Sequence, residues 1–337
     1  MVGTAPRRPA VDRLRELDAL RGLAALAVVL YHYSHFIQFM VPGTALPHLQ
    51  LRWGDDGVKL FFAISAFAML ATLERTPTLG AFAQARARRL LPEYWLAMIL
   101  TGIVAWTLGP TRLAVTTLEW LANLPLMQKL TGVPMVDGVY WTLNVEVIFY
   151  ALIAIMWRIG ALRSIERLVL GWLAVRLLCW LLPTPGWLQF VLLTEHCIWF
   201  AVGLIAYPVW LGTVRWQDQR LLAAAMLGVQ ALTGGLHATL LLIAMMALFL
   251  GIATGRLRGL DHPLSLWLGA ISYPLYLVHA VIGYAIIARL QAAGIGADIA
   301  QLVALAAMMA LAVAVGRVCD AARARAKPAP RLREAPL

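Results

Sequence analysis

Long apolar runs separated by short clusters of charge recur along the whole chain. A helix needs roughly 20 apolar residues to cross the hydrocarbon core of a bilayer. The pattern predicts spans over 17–40, 57–73, 90–108, 140–157, 166–182, 187–211, 220–233, 236–254, 264–288 and 298–317, about ten crossings in all. The seventh run is short enough to be an interfacial or broken helix. The fold class expected is therefore all-α, a polytopic transmembrane helix bundle.

Charge gives this reading an orientation. An even number of crossings puts both ends of the chain on one side, and arginine and lysine favour cytoplasmic loops. The segments expected inside carry Arg7, Arg8, Arg13 and Arg15; Arg75, Arg86, Arg88 and Arg89; Arg158, Arg163 and Arg167; Arg215 and Arg220; Arg256 and Arg258; and the cluster from Arg317 to Arg333. Those expected outside carry Arg52, Arg112, Lys129 and Arg289. Both termini are thus expected in the cytoplasm. Residues 1–16 read as a tail, 17–319 as one transmembrane domain, and 320–337, rich in Pro, Ala and Arg, as a disordered basic tail. The first run carries polar groups where a signal peptide would be apolar and is read as a retained span.

Composition agrees. Of 337 residues, 61% are hydrophobic and 13% charged, with a mean hydropathy of +0.77, which excludes an ordinary soluble domain. The net charge of +11 is spread over loop clusters and forms no single stripe, so membrane topology accounts for it and no nucleic-acid partner is expected. Cys179, Cys197 and Cys319 lie in apolar stretches without ligand spacing, so neither a disulfide framework nor a metal site is indicated.

The chemistry lies in polar groups inside the apolar runs. In the first, Asp18, Arg21, Ala25, Val28, His32 and His35 are spaced by three and four, the rhythm of one helical face. Arg21 and His32 are separated by about 16 Å of helical rise, so the arginine sits near the cytoplasmic mouth and the histidine near mid-membrane. Each has an ordinary alternative: Arg21 can snorkel to headgroups, and His32 can bond a neighbouring helix. Several ionisable groups on one stripe point to a pathway or reaction site, because each costs several kcal/mol in a span. "WTLNVEVIFY" places Thr142, Glu146 and Tyr150 on one face, "LLTEHCIWF" puts Glu195 beside His196, and "ISYPLYLVHA" aligns Ser272, Tyr276 and His279. In "AFAQARARRLLPEYW", Arg86, Arg88 and Arg89 stand just before a helix expected to start near Leu90 with Pro92 in its first turn. They are either ordinary positive-inside residues or a phosphate clamp at the positive end of that helix.

Together "LDALRGLAALAVVLYH", "GVKLFFAISAFAML", "RARRLLPEYW", "WTLNVEVIFY" and "ISYPLYLVH" resemble, in order and at sensible intervals, the acyltransferase type 3 family of membrane acyltransferases. The resemblance runs from about Leu17 to the last span. It implies transfer of an acyl group, commonly acetyl, from acyl-CoA to a sugar or other hydroxylated acceptor, including lipid-linked sugars, in a bacterial inner membrane. Acyl-CoA is then a donor substrate and not a permanently bound cofactor. The family's first-helix Arg-x10-His motif picks out Arg21 and His32, the histidine being the residue regarded as essential. Its paired arginines match Arg86 and Arg89, and its Trp-Ser/Thr-Leu-x-x-Glu stretch matches Trp141 and Glu146. His35 is not part of the motif. The chain departs from the family at Ser65-Ala66-Phe67, where the family usually reads Ser-Gly-Phe.

On this footing His32 is expected to act as general base on the acceptor hydroxyl, with an acyl-histidine as the variant. Arg21, Arg86 and Arg89 would hold the donor. Glu146 would either orient the histidine or hold the acceptor, and Asp18, His35, Trp141, Tyr150, Glu195, Tyr276 and His279 are candidates for the pocket lining. The competing class is a transporter or flippase with an intramembrane proton relay, against which stands the lack of an evident inverted repeat.

Overall fold

The structure, a computed structural model, describes residues 15–108, 115–257, 260 and 262–325. The arginines at 7, 8, 13, 112 and 258 and the tail beyond Arg325 lie outside them. The described residues are helical with no strand, as the periodicity requires. The long helices are α1 (Arg15–Met40), α2 (Gly57–Leu73), α3 (Leu79–Thr107), α4 (Trp141–Arg158), α5 (Ile165–Leu181), α6 (Cys197–Leu211), α7 (Arg220–Ala253), α8 (Pro263–Ala292) and α9 (Ala297–Arg325). Seven helical segments among the described residues are long and apolar enough to cross a membrane; α6 is apolar but shorter.

Helix α8 is the axis of the bundle. It is buried along most of its length and packs on α1, α9 and α3. It crosses α1 where Gly22 meets Gly269: a Cβ on either would overlap backbone of the other helix, so only glycine permits this approach. On the other flank α2 packs on α6, where Phe62 and Phe149 each stack on Phe200, at 4.8 and 4.0 Å. One end of the bundle, here the near end, holds Arg15, the Tyr207–Glu74 hydrogen bond and the Arg323–Glu93 ion pair. The far end holds Met40 and the contact of His48 with Asp298.

The pattern of apolar runs places most helices correctly, and the departures have physical reasons. Helix α3 begins eleven residues before the expected Leu90, at Leu79, with Thr78 as its N-cap accepting from the Ala81 N–H at 3.1 Å. The Ala- and Arg-rich stretch is a good helix former whose charge lowers its hydropathy. Pro92 therefore lies inside the helix. Likewise α9 runs to Arg325, six residues past residue 319, the expected end of the transmembrane domain. The run 187–211 divides into a short helix, Gly186–Val191, and α6.

Helix α7 consists of two arms meeting at Gly235, whose φ of 76° and ψ of −179° only glycine adopts without strain. Gln219, just before the first arm, bonds Glu166 at the start of α5. His237, just after the break, bonds Asp56 at the start of α2, and Phe249 packs against Phe67 deep in α2. The two arms thus run in opposite directions between the same two ends, as two runs and not one.

Candidate active site

Two polar constellations lie in series along α8. The first is a cavity of about 150 Å³ lined by Arg21 of α1, Ser65 and Thr72 of α2, Arg86 and Arg89 of α3, Thr142, Glu146 and Tyr150 of α4, and Ser272, Tyr273 and Tyr276 of α8, with Phe61, Phe62 and other apolar side chains. Three guanidiniums face one carboxylate, so the chamber is suited to an anion.

Each charged group arrives by helical spacing. Arg86 and Arg89, at i and i+3, share the inner face of α3 while Arg88 points elsewhere and is exposed. Because α3 starts at Leu79, these arginines lie on the helix body, so their charge and not the helix dipole makes the site. Arg86 is half-buried, bonds Thr72 Oγ1 at 3.2 Å and packs over the Tyr150 ring at 5.7 Å. Its Nε–H is buried with no acceptor among the described residues. Glu146 Oε1 accepts from Ser65 Oγ at 2.8 Å and from the Tyr150 hydroxyl. Both hydroxyls address one oxygen. The Ser65-Ala66-Phe67 departure from the family pattern is absorbed by packing, since Ala66 is fully buried and Phe67 meets Tyr207 edge to face.

The second constellation is a histidine pair toward the far end. His32 opens a π-helical turn, His32–Phe36. Its Nδ1 lies 2.8 Å from Val28 O and 3.3 Å from His279 Nε2. His279 Nδ1 lies 2.8 Å from Tyr276 O. Carbonyl oxygens only accept, so in the neutral pair each ring carries its proton on Nδ1. The His32 Nδ1–H is shared between Val28 O and His279 Nε2, and its Nε2 keeps a lone pair. No hydrogen bond to that nitrogen occurs among the described residues. His32 is thus held in the tautomer a general base needs.

Neighbouring groups fix the pair. Tyr33 donates to His279 O at 2.8 Å, and Tyr140 donates to Leu277 O at 3.2 Å. Asp137, fully buried, accepts from the Val281 N–H at 3.1 Å. Tyr276 links the constellations: it lines the cavity, its hydroxyl accepts from Thr142 at 2.8 Å and donates to Val139 O at 2.9 Å, and its ring stands 5.6 Å from that of His279.

Among the residues expected from sequence, Arg21, Arg86, Arg89, Glu146, Tyr150 and Tyr276 come together in the cavity. His32 and His279 meet beyond it and do not line it. Glu146 bonds Ser65 and Tyr150, and the side chain within hydrogen-bond distance of His32 is that of His279. Asp18 is buried away from the cavity and bonds Arg21 at 3.3 Å. His35 leaves the stripe because the π turn inserts extra backbone, and its ring packs against Tyr31 and Phe39. Trp141 packs on His196 at 5.5 Å and is not in the lining. Glu195 is exposed, because α6 starts at Cys197 and leaves it on a turn whose carbonyl bonds Arg176.

A multi-helix membrane protein holds an arginine–carboxylate chamber in series with a buried histidine pair. The chain belongs to the acyltransferase family: the model of its acyltransferase domain matches residues 14–318. Similar proteins include an acyltransferase, MdmB, of Streptomyces mycarofaciens, 27% identical over 48% of this chain and 43% of its own. The exopolysaccharide production protein ExoZ of Rhizobium meliloti is 40% identical over 30% of this chain and 33% of its own. A putative membrane-bound transacylase, BcsY, of Komagataeibacter xylinus is 28% identical over 48% of this chain and 41% of its own. The chain spans less than half the length of each of these relatives. No solved structure matches.

Proposed function

We propose that this protein is a membrane O-acyltransferase that moves an acyl group, acetyl in the first instance, from acyl-CoA to a hydroxyl of a polysaccharide or a related lipid-linked glycan. The observation that carries the reading is the His32 geometry: an imidazole with Nδ1–H bonded to Val28 O and shared with His279, and Nε2 left with a lone pair. Family membership and the name of the exopolysaccharide relative support the reaction class and the acceptor class.

In this mechanism the nucleotide end of the donor enters at the near end, where Arg86 and Arg89 take its phosphates through charge-assisted hydrogen bonds. Arg86 brings a buried Nε–H with no protein acceptor among the described residues. The pantetheine arm lies along Arg21 and Ser65 and must pass Tyr276 to bring the thioester to His32. His32 Nε2 takes the acceptor's hydroxyl proton as its oxygen attacks the thioester carbonyl. Collapse expels the CoA thiolate, which receives that proton. Glu146, held by Ser65 and Tyr150, balances the arginine charge and keeps the chamber rigid.

The topology that serves this reaction has ten crossings with both ends of the chain in the cytoplasm, α7 supplying two through its reversal at Gly235. The near end then faces the CoA pool, and the membrane is the inner membrane of a bacterium. The test is direct. Purified protein in liposomes is given radiolabelled acetyl-CoA and a glycan acceptor, and label on the glycan is followed for wild type and His32→Ala. Label transfer abolished by His32→Ala supports the reading. Full transfer by that variant at normal expression, or uptake of an unmodified solute without transfer, contradicts it.

A further inference from the structure

The oxyanion that forms at the thioester carbonyl has no partner in this mechanism, yet a buried, unused hydroxyl lies near the base. Tyr284 on α8 is 2% exposed, and its ring stands 6.4 Å from that of His32 and 6.5 Å from that of Tyr33. Its hydroxyl is buried and has no hydrogen-bond partner among the described residues. The contrast with its surroundings is sharp. The hydroxyls of Tyr33, Tyr140 and Tyr276 all donate to backbone carbonyls of this same region.

A buried hydroxyl without a partner weakens the resting fold, and phenylalanine would fill the same space without that cost. Such a group persists where a ligand atom satisfies it, and hydrogen-bond donors waiting where charge develops are the means by which acyl-transfer sites stabilise their intermediates. The His32 ring has His279 at 4.8 Å, Tyr31 at 5.2 Å, Phe36 at 5.4 Å and Tyr284 at 6.4 Å; His279 shares the Nδ1 proton, and of the two tyrosines Tyr284 is the one whose hydroxyl is buried without a partner among the described residues.

Resting on the reading of His32 as base, we infer that the Tyr284 hydroxyl donates a hydrogen bond to the oxyanion of the tetrahedral intermediate and is a catalytic residue of the transfer. In the step, the acceptor oxygen bonds to the thioester carbon and its proton passes to His32 Nε2. The carbonyl π electrons move onto oxygen, which accepts from the Tyr284 O–H. When the C–S bond breaks, those electrons re-form the carbonyl and the thiolate takes the proton from His32. Tyr284 keeps its own proton throughout.

Tyr284→Phe distinguishes this from a packing role. The expected result is a fall in kcat of about 100-fold, with KM for acetyl-CoA unchanged and an unfolding midpoint equal to or above that of wild type. Transfer within twofold of wild type overturns the inference. So does a loss of activity accompanied by a lowered midpoint, which would mark the hydroxyl as structural. His32→Ala measured in parallel separates the two levels: an inactive His32→Ala with a fully active Tyr284→Phe removes only the role of Tyr284, whereas an active His32→Ala removes the base and this role with it.

Discussion

The arginines of α3 offer a graded test because the structure gives three neighbouring guanidiniums three environments. Arg86 is half-buried, anchored to Thr72, packed over Tyr150 and left with an unpartnered Nε–H. Arg89 lines the same cavity but is exposed, and Arg88 is exposed and not part of it. A hydrogen bond to a charged group contributes about 1.5–3 kcal/mol, so Arg86→Ala should weaken coenzyme A binding by roughly 10–100-fold. Solvent screening leaves an exposed pair about 0.2–1 kcal/mol, so Arg89→Ala should cost no more than roughly fivefold. Arg88→Ala should change nothing. Calorimetric titration of the detergent-purified variants with coenzyme A and with 3′-dephospho-coenzyme A reads these affinities. A loss for Arg88→Ala as large as for Arg86→Ala, or no loss for Arg86→Ala, would refute the clamp, since bulk charge or another site would then bind the donor.

Two further outcomes follow from the same contacts. His279→Ala removes the second acceptor of the His32 Nδ1–H, so kcat should fall by roughly 3–10-fold with KM for the donor unchanged. His279→Gln, which can supply an amide oxygen, should recover part of it in steady-state assays, and equal defects in both variants would count against this positioning. Arg176 of α5 bonds the carbonyls of Thr194 and Glu195, Gln230 Oε1 and Thr233 Oγ1; Arg176→Leu leaves the buried Gln230 Oε1 without this donor and should cost about 1–3 kcal/mol. A thermal unfolding midpoint in detergent unchanged from wild type would remove that staple.

What the chain discloses by itself follows the range of the interactions. The α1 stripe from Arg21 to His32 is legible because both lie on one helix with a fixed period. The start of α3 is not, because its arginines depress the hydropathy of a segment that Thr78 and good helix formers nevertheless make helical. His35 drops out for a reason no regular periodicity contains, the π turn. Tyr284, Asp137 and the His32–His279 contact were out of reach for another reason: each acquires meaning from a group on a different helix, brought close by crossings such as Gly22 on Gly269. Tyr276 and His279 could be found by their spacing, but which of them faces the cavity and which the base depends on how α8 sits against α1 and α4.

The central claim is that one route joins the arginine chamber to the His32 imidazole. A cryo-electron microscopy structure with a non-hydrolysable acetyl-CoA analogue tests it most directly. The account predicts nucleotide phosphates at Arg86 and Arg89, Tyr276 displaced from Thr142, and the acyl carbonyl beside His32 Nε2. An analogue bound elsewhere, or one whose acyl end stops short with His32 facing lipid, would contradict it.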